Sequence, residues 1–234
     1  MKRIYKILQN GSGTLFIMLC VVLVCSTTCK DRGPVPTEYL PQEFKDWMYF
    51  KEGTWWHYES MDGVVDKVVV DTSFIDMLEW YDYNGKVRDD EPYFIEEWFE
   101  YTTTSQLTNA QYKYYSGAKL LCDSIRTRSC SHVLMKQLYS SGEGGPRTIF
   151  FYEPIVGSSV GAFVGGTELL ALRDTMTVKG ITYNEVAEIK QYYYRYGTIT
   201  YQIAKHFGII RKIMEYEDGT PTEQWDLVDS HIVQ

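Results

Sequence analysis

The sequence lacks any cluster of basic residues, and it has no apolar run long enough to cross a membrane. Among its 234 residues there are 23 Lys and Arg against 31 Asp and Glu, so the net charge is −8. Nucleic acids and anionic lipid surfaces are bound through clustered Lys and Arg, and we therefore expect no nucleic-acid partner. A membrane-spanning helix needs roughly 20 apolar residues, and the apolar run at residues 15–24 falls well short of that.

Residues 1–28 have the pattern of a secretory signal peptide. Three cations and no acidic residue lie in the first six positions, the apolar run 15–24 follows, and Ser26, Thr27 and Thr28 close the segment. This order of charged, apolar and small residues is typical of a leader that is removed on export. Its removal takes three positive charges from an acidic chain, which makes the mature protein more acidic still.

Cys29 is the predicted site of lipid attachment. Its position just after the apolar run resembles a bacterial lipoprotein signal, in which the cysteine is acylated with palmitate and becomes the mature N-terminus. The rival Cys25 follows the bulky Val24, and an ordinary cleaved signal without lipid is the other alternative. Residues 29–42 are rich in proline, which predicts an extended tether between membrane and domain. Because Lys30 follows Cys29 where an inner-membrane retention signal has Asp, the resemblance implies the outer membrane, facing the periplasm or the exterior.

Two cysteines, Cys122 and Cys130, remain in the part of the chain that is expected to fold. An even pair in an exported protein permits a disulfide, and the seven residues between them could form a hairpin loop that brings the two side chains together. Two free thiols are the alternative, and the sequence does not decide between them.

Residues 43–234 predict a single β-rich domain. Short runs of aromatic and β-branched residues alternate with turn signals, among them Asp62-Gly63, Asn84-Gly85 and Asp218-Gly219. Long stretches with a 3.6-residue period are absent apart from residues 43–50, which predict a short helix. The expected fold is mainly β, a single antiparallel, strongly curved sheet or half-barrel with one or two short helices. The predicted strands cover residues 55–59, 64–71, 74–83, 93–104, 111–121, 131–139, 147–152, 175–178, 181–191, 192–196, 198–213 and 223–233.

Two parts of the chain resemble recurring segments of Bacteroidota lipoproteins of the outer membrane and periplasm. Residues 50–71, FKEGTWWHYESMDGVVDKVVVD, are similar to their opening segment, with an aromatic pair after Lys-x-Gly. Residues 178–186 and 204–212, followed by Trp225 and Leu227, are similar to their closing segments. Some of these proteins resemble the lipoprotein-localisation carriers (LolA/LolB-like), in which a curved antiparallel sheet wraps an apolar cavity. The resemblance implies a fold and a location rather than an activity.

One motif of a hydrolase occurs, at residues 157–161, where Gly-Ser-Ser-Val-Gly fits the G-x-S-x-G nucleophile elbow around Ser159. Asp174 and then His206 or His231 follow in the order that a catalytic triad of this type requires. The elbow must join a strand to a helix, however, and the surrounding pattern favours a flexible loop in a β domain. We therefore predict no catalytic residue and no enzymatic activity.

Other reactive side chains form weaker patterns. Glu96, Glu97 and Glu100 could pair as catalytic carboxylates, but a solvated strand face is the favoured interpretation. Cys122, Cys130 and His132 lie close in sequence without the spacing or the fourth ligand of a structural zinc site. We therefore predict no metal and no cofactor.

The 20 tyrosines and six tryptophans admit two interpretations, cross-strand packing or an apolar or glycan-binding surface such as residues 192–194 with Tyr196. The leading hypothesis is a non-enzymatic, membrane-anchored lipoprotein that binds or carries an apolar or lipid-like ligand. Residues 43–50 are too few to fill a long concave sheet, so we expect unfilled apolar space rimmed by residues 157–166. The alternatives are a surface module that binds glycans or proteins and, more remotely, a serine hydrolase. The sequence names no ligand-binding residue.

Overall fold

The computed structural model describes residues 34–83, 86–87, 92–118, 132–138, 147–151, 156–157, 159–160, 166–193 and 197–234. Within these ranges the fold is mainly β, as predicted, with one helix, α1, at Gln42–Met48. The strands are β1 Thr37–Glu38, β2 Trp55–Ser60, β3 Val65–Trp80, β4 Asp82–Tyr83, β5 Lys86–Val87, β6 Phe94–Ser105, β7 Gln111–Gly117, β8 His132–Leu138, β9 Arg147–Phe151, β10 Ser159–Val160, β11 Thr167–Val178, β12 Ile181–Tyr193, β13 Gly197–Ala204, β14 Gly208–Tyr216 and β15 Glu223–His231.

Thirteen strands form one large sheet. Its order is β10-β11-β12-β13-β14-β15-β2-β3-β6-β7-β8-β9, and β1 pairs with β6 beside this path, while β4 and β5 form a separate pair. Neighbouring strands along the path run antiparallel, but β1 and β6 run parallel. The sheet is therefore mixed, which corrects the prediction of a purely antiparallel one. Among the described residues, the end strands β10 and β9 are not paired with each other, so this sheet is not closed into a barrel.

Several predicted strand boundaries differ from the structure: β11 begins at residue 167 instead of 175, and β12 continues through residue 192, where a new strand was predicted. Two further differences change the number of strands. Strand β3 is continuous where two strands were predicted, because a bulge between Val70 and Thr72 absorbs the irregularity opposite β6. The predicted strand 198–213 is instead two strands, β13 and β14, joined by a turn in which His206 has a φ of 66°. Both errors have the same cause. Whether a strand continues or ends in a turn depends on its pairing with adjacent strands as well as on its own residues.

Two of the predicted Asp-Gly turns are confirmed. Gly63 joins β2 to β3 with a φ of 77°, and Gly219 lies between β14 and β15 with a φ of 84°. These positive φ values are accessible to glycine at little cost because it has no Cβ. The third predicted turn, Asn84-Gly85, lies outside the described residues.

The folded domain begins earlier than the predicted boundary at residue 43. Thr37–Glu38 pairs with β6 at Ile95 and Glu96. Leu40 is only 3% exposed, and its backbone N–H donates to a carboxylate oxygen of Glu97 at 2.8 Å. The end of the predicted tether is therefore part of the sheet and the core.

Helix α1 packs on one side of the sheet, which we call the inner face. Phe44, Trp47 and Met48 are buried, as the helical spacing predicts. The ring of Phe44 lies 6.1 Å from that of Phe99 on β6, and Trp47 stacks on Phe150 of β9 at 4.9 Å. Burial of such large rings is the main favourable term in the folding free energy, so α1 is an integral part of the core.

The strand registers extend the inner face across the sheet. Cross-strand partners lie on one face of a sheet, and the pairings join Leu169, Ile189, Tyr201, Lys212 and Trp225 in one row. The first three of these are buried. The inner face thus runs from β11 at one side to β9, where Phe150 lies under α1.

The opposite face carries charged side chains in pairs. Arg211 of β14 bonds Asp226 of β15 through two nitrogens, one of them at 3.1 Å, and Arg173 of β11 bonds Glu188 of β12 at 3.0 Å. The division into an apolar and a polar face is typical of a sheet with one buried side. In the described ranges, no helix has the length and apolarity needed to cross a bilayer.

Candidate functional site

On strands β2, β3, β14 and β15, burial decreases along the inner face from the end under α1 to the opposite end of the same strands. On β14 the inner-facing residues are Gly208, Ile210, Lys212 and Met214, and the first two are buried while the last two are half-buried. Phe50, which follows α1, lies 3.1 Å from the position that a Cβ on Gly208 would take. We call the half-buried region the open end, defined by Asp66, Tyr112, Lys212, Met214 and Trp225.

Lys212 is the charged residue at the centre of the open end. Its cross-strand partners are Tyr201 on β13 and Trp225 on β15. Among the described residues no carboxylate lies within 4 Å of its ammonium, whereas many other lysines are ion-paired. The pKa of Lys212 is lowered because burial disfavours the charged ammonium, an effect that Glu223 and Asp66 partly oppose.

The two carboxylates near Lys212 are already held by other donors. Asp66 accepts hydrogen bonds from the Ser105 hydroxyl at 2.8 Å and from the Leu107 backbone N–H at 3.0 Å. The Tyr216 hydroxyl donates to Glu223 at 2.8 Å. Donors of this kind partly satisfy an anion, so in the described part of the site the ammonium of Lys212 is the charge left without a close partner.

Tyrosines lie on the inner face within the open end and beside it. Burial raises the pKa of Tyr58 and Tyr101 well above the usual value, and raises that of Tyr112 as well. Neighbouring tyrosines and Asp66 add to the effect at Tyr58, whose hydroxyl donates to the Ile209 carbonyl at 2.9 Å. These hydroxyls stay protonated at neutral pH, so they are hydrogen-bonding groups and not anions.

One hydroxyl on the inner face is buried without a hydrogen-bond partner in the described part of the chain. It belongs to Thr103 of β6, whose cross-strand neighbours are Val70 and Tyr112. A buried polar atom that lacks a partner is uncommon, because it loses its hydrogen bonds to water. With Lys212 and the tyrosines, it gives the inner face polar groups among apolar side chains, the combination found in ligand pockets.

The predicted lipid and disulfide residues cannot be placed. Cys29, Cys122 and Cys130 lie outside the described residues, and His132 is described only by its backbone position at the start of β8. Lipid attachment at Cys29 and a bond between Cys122 and Cys130 therefore stay predictions.

The residues of the hydrolase motif are not brought together. Ser159 lies in β10 and pairs with Glu168 of β11, while Asp174 lies six residues further along that strand. Six residues of a strand span about 20 Å, so the acid of the predicted order is far from Ser159. Gly157 has a φ of 85°, and Gly161 lies outside the described residues.

The two histidines of that motif have other neighbours. Nδ1 of His206 lies 2.9 Å from the side-chain oxygen of Gln234. The ring of His231 stacks near Trp55, with the ring centres 6.3 Å apart. Neither contact involves the residues around Ser159.

The interpretation of Glu96 and Glu97 as a solvated face is wrong. Glu96 is fully buried and accepts a hydrogen bond from the Trp80 indole at 2.6 Å. Glu97 is also buried and forms an ion pair with Lys45 of α1 at 3.0 Å. Glu100 pairs with Lys113 at 2.6 Å in a more exposed position. Glu97 thus attaches α1 and Leu40 to the sheet, a structural role that depends on residues distant in sequence.

In the tyrosine cluster at residues 192–196, the structure describes the side chain of Tyr192 alone. Tyr192 is exposed, and its hydroxyl donates to Glu168 at 2.9 Å. This hydrogen bond is the main reason that the pKa of Tyr192 is raised. The contact is a diagonal one between neighbouring strands on the sheet surface. Cross-strand packing is one of the two interpretations that the sequence left open.

The sequence analysis did not identify Lys212 as a candidate site residue, although the sequence contains a pattern that indicates it. In the run Ile210-Arg211-Lys212-Ile213-Met214, period-two alternation places Lys212 on the face of Ile210 and Met214. A single cation between two apolar residues on the buried face of a strand is unusual. The predicted strand 198–213 ended too early for this pattern to be seen.

Comparison with known proteins found no match that could assign a functional site to this chain. No protein-family model matches it, and neither curated proteins nor solved structures show a significant similarity.

Proposed function

We propose that this protein is a membrane-anchored lipoprotein that carries an apolar or lipid-like ligand on the inner face of its sheet. The observation that carries the proposal is the decrease in burial along β14, from Ile210 to Lys212 and Met214. A sheet face that is apolar and incompletely covered favours binding of an apolar molecule. Because α1 covers the other end of the face, the open end is where such a ligand would bind.

In this proposal the sheet is strongly curved, close to a half-barrel. Contacts between its two sides support this curvature. The backbone carbonyl of Thr148 on β9 accepts hydrogen bonds from Thr167 of β11 at 3.0 Å and from Gln191 of β12 at 2.6 Å. These strands lie at opposite sides of the sheet order, so a flat sheet would hold them far apart.

The carrier proposal is tested by native mass spectrometry of the protein purified from its own envelope. We expect a bound amphiphile that dissociates at higher collision energy. Met214→Trp fills the open end and should reduce the bound fraction, whereas Ile213→Trp, at the neighbouring residue on the opposite face, should leave it unchanged. A protein that carries no amphiphile, or equal occupancy in the two variants, would contradict the proposal.

The membrane anchor is a separate part of the proposal. Its basis is the leader at residues 1–28 and Cys29 behind it, which together resemble a lipoprotein signal. We expect the chain to incorporate labelled palmitate in cells and to lose the label in Cys29→Ala. Label that persists in this variant, or is absent from the wild type, would show that Cys29 is not the lipidated residue.

We also propose that the protein is not an enzyme. The separation of Ser159 from Asp174 along β11 supports this. A fluorophosphonate probe, which reacts with activated serines, should not label the purified protein. Labelling that disappears in Ser159→Ala would support the serine hydrolase alternative instead.

A second candidate function is recognition of a protein strand at the edge of β3. Strand β2 pairs with β3 only at residues 65–69, so at residues 72–80 the described structure has a paired strand on the β6 side alone. Phe74 and Ile75 there are 46% and 40% exposed. An exposed edge with apolar side chains is a template for strand addition.

Charge limits the partner that this edge would accept. Asp76 and Glu79 lie along this edge, and residues 72–80 contain no Lys or Arg. This charge favours a partner strand with alternating basic and apolar residues. Calorimetry should detect binding of a Lys/Val alternating peptide but not of a Glu/Val peptide, and Ile75→Lys should weaken it. If the two peptides behave alike, this second function fails.

A further inference from the structure

We propose that the open end of the inner face binds the headgroup of a long-chain monocarboxylate, with the ammonium of Lys212 as its counter-ion. This rests on the proposed carrier function, since it names the chemical class of the ligand held at that site. The surroundings of Lys212 bear on three properties of this ligand: the sign of its headgroup charge, the size of that charge, and the position of its chain.

The charge follows from the surroundings of Lys212. The row of cross-strand partners places it between Tyr201 and Trp225 on the inner face. No carboxylate of the described residues lies within 4 Å of its ammonium, and burial lowers its pKa. A cation held among apolar side chains is costly unless an anion reaches it, and a ligand carboxylate would supply that anion with charge-assisted hydrogen bonds.

The valence follows from the neighbouring acids. Asp66 and Glu223 lie near enough to Lys212 to oppose the lowering of its pKa, so the same two groups repel any incoming anion. A phosphate monoester carries a charge of about −1.5 to −2 at neutral pH and would be repelled more strongly than a carboxylate. A single cation beside two acids that repel anions therefore favours a headgroup with one negative charge over a headgroup with two.

The position of the chain follows from the burial pattern. Ile210 and the residues under α1 are fully buried, so the inner end is occupied by the protein itself. Ile199 and Met214 are cross-strand partners on the inner face, and both are half-buried. A hydrocarbon chain laid over them and Trp225 would remove apolar surface from water, at roughly 25 cal/mol per Å². The carboxylate thus points towards the core and the chain towards the rim.

The test compares two photoreactive probes on the full-length protein reconstituted in lipid nanodiscs. One is a long-chain carboxylate with a diazirine in its chain, and the other is its methyl ester. We expect the carboxylate to label residues of the inner face about tenfold more efficiently than the ester, the ratio that one charge-assisted hydrogen bond corresponds to. Labelled residues are located by mass spectrometry.

Three variants identify the group responsible. Lys212→Met should lower labelling by the carboxylate to the level of the ester, and Lys212→Arg should retain the preference because it keeps the charge. Lys190→Met is the matched control, since Lys190 lies on the opposite face in an ion pair with Glu215 at 3.2 Å. Its labelling should equal that of the wild type. Melting curves establish that all variants are folded.

The possible outcomes separate this inference from the function on which it rests. Equal labelling of the inner face by both probes in the wild type, or a carboxylate preference that survives in Lys212→Met, overturns the inference and leaves the carrier proposal standing. Failure of both probes to label the inner face overturns both.

Discussion

The two ends of the inner face are formed by the same strands but differ in chemistry. Under α1 the face is aromatic and aliphatic, and Phe44 and Ile210 have no exposed surface. At the open end it carries the half-buried Lys212 and Asp66. The comparison fits our proposal that one end of this surface stabilises the fold and the other binds a ligand. A charge on a buried face breaks the usual pattern, and such exceptions are typical of functional sites.

The largest effect is expected from the end under α1. Phe44→Ala should lower the free energy of unfolding by about 3–5 kcal/mol, because it leaves a cavity between α1 and the sheet. Phe74→Ala, which truncates an exposed ring on β3, should change stability by less than about 0.5 kcal/mol. Urea unfolding of both variants measures the difference. Equal losses would mean that α1 does not anchor the core.

The next effect concerns the attachment of α1 to the sheet. Glu97→Ala removes the partner of Lys45 and the acceptor for the Leu40 N–H, and should cost about 3 kcal/mol because a buried ion pair is left incomplete. Glu100→Ala breaks the more exposed pair with Lys113 and should cost about 1 kcal/mol or less. Thermal unfolding of the two variants gives the comparison, and a larger loss in Glu100→Ala would reverse our assignment of roles.

A smaller effect is expected at the turn beyond the open end. Gly219 has a φ of 84°, and a Cβ there would meet no atom within 4 Å. Gly219→Val should therefore destabilise by about 1–2 kcal/mol through backbone strain alone. Gly219→Asn, which tolerates positive φ better, is the control and should cost less. Denaturant titration distinguishes them, and an unchanged midpoint in Gly219→Val would contradict the turn.

The smallest effect is a dependence on pH at the open end. Burial holds the folded-state pKa of Lys212 below its ordinary value of 10.5, so between these two pKa values the unfolded chain binds more protons. The stability of the wild type relative to Lys212→Met should therefore rise with pH across that window. The same site also contains four other titratable residues, Asp66, Glu223, Tyr58 and Tyr112. They are present in both the wild type and Lys212→Met, so the difference in stability between the two proteins reports on Lys212.

Unfolding measured at a series of alkaline pH values gives this difference directly. At each pH, the free energy of unfolding of Lys212→Met is compared with that of the wild type, because the other titrating groups affect both proteins alike. A difference that stays constant or falls with rising pH would mean that Lys212 is not desolvated in the folded protein.

Local patterns predicted the parts of the fold that depend on neighbouring residues. The spacing of Phe44, Trp47 and Met48 predicted α1, and the Asp-Gly pairs at Gly63 and Gly219 predicted two hairpin turns. These succeed because helix spacing and turn φ values are decided within a few residues. The continuous β3 and the break at His206 were missed, since both depend on how adjacent strands pair.

The candidate site shows the same limit. The sequence contains the lone cation between Ile210 and Met214, but whether that face is buried depends on which strands flank β14. The role of Glu97 was equally hidden, because its donor Leu40 lies 57 residues away in the chain. A contact between residues so far apart in the chain produces no periodic pattern in the sequence of either segment.

By itself, therefore, the sequence determined that the chain is mainly β, where its short helix lies, and which turns require glycine. The tertiary structure alone decided that β1 runs parallel to β6, that Glu96 and Glu97 are buried, and that Lys212 faces the interior without a close carboxylate among the described residues. The physical reason is that burial is a property of the surroundings. An ionisable side chain acquires its cost and its function only when distant strands remove it from water.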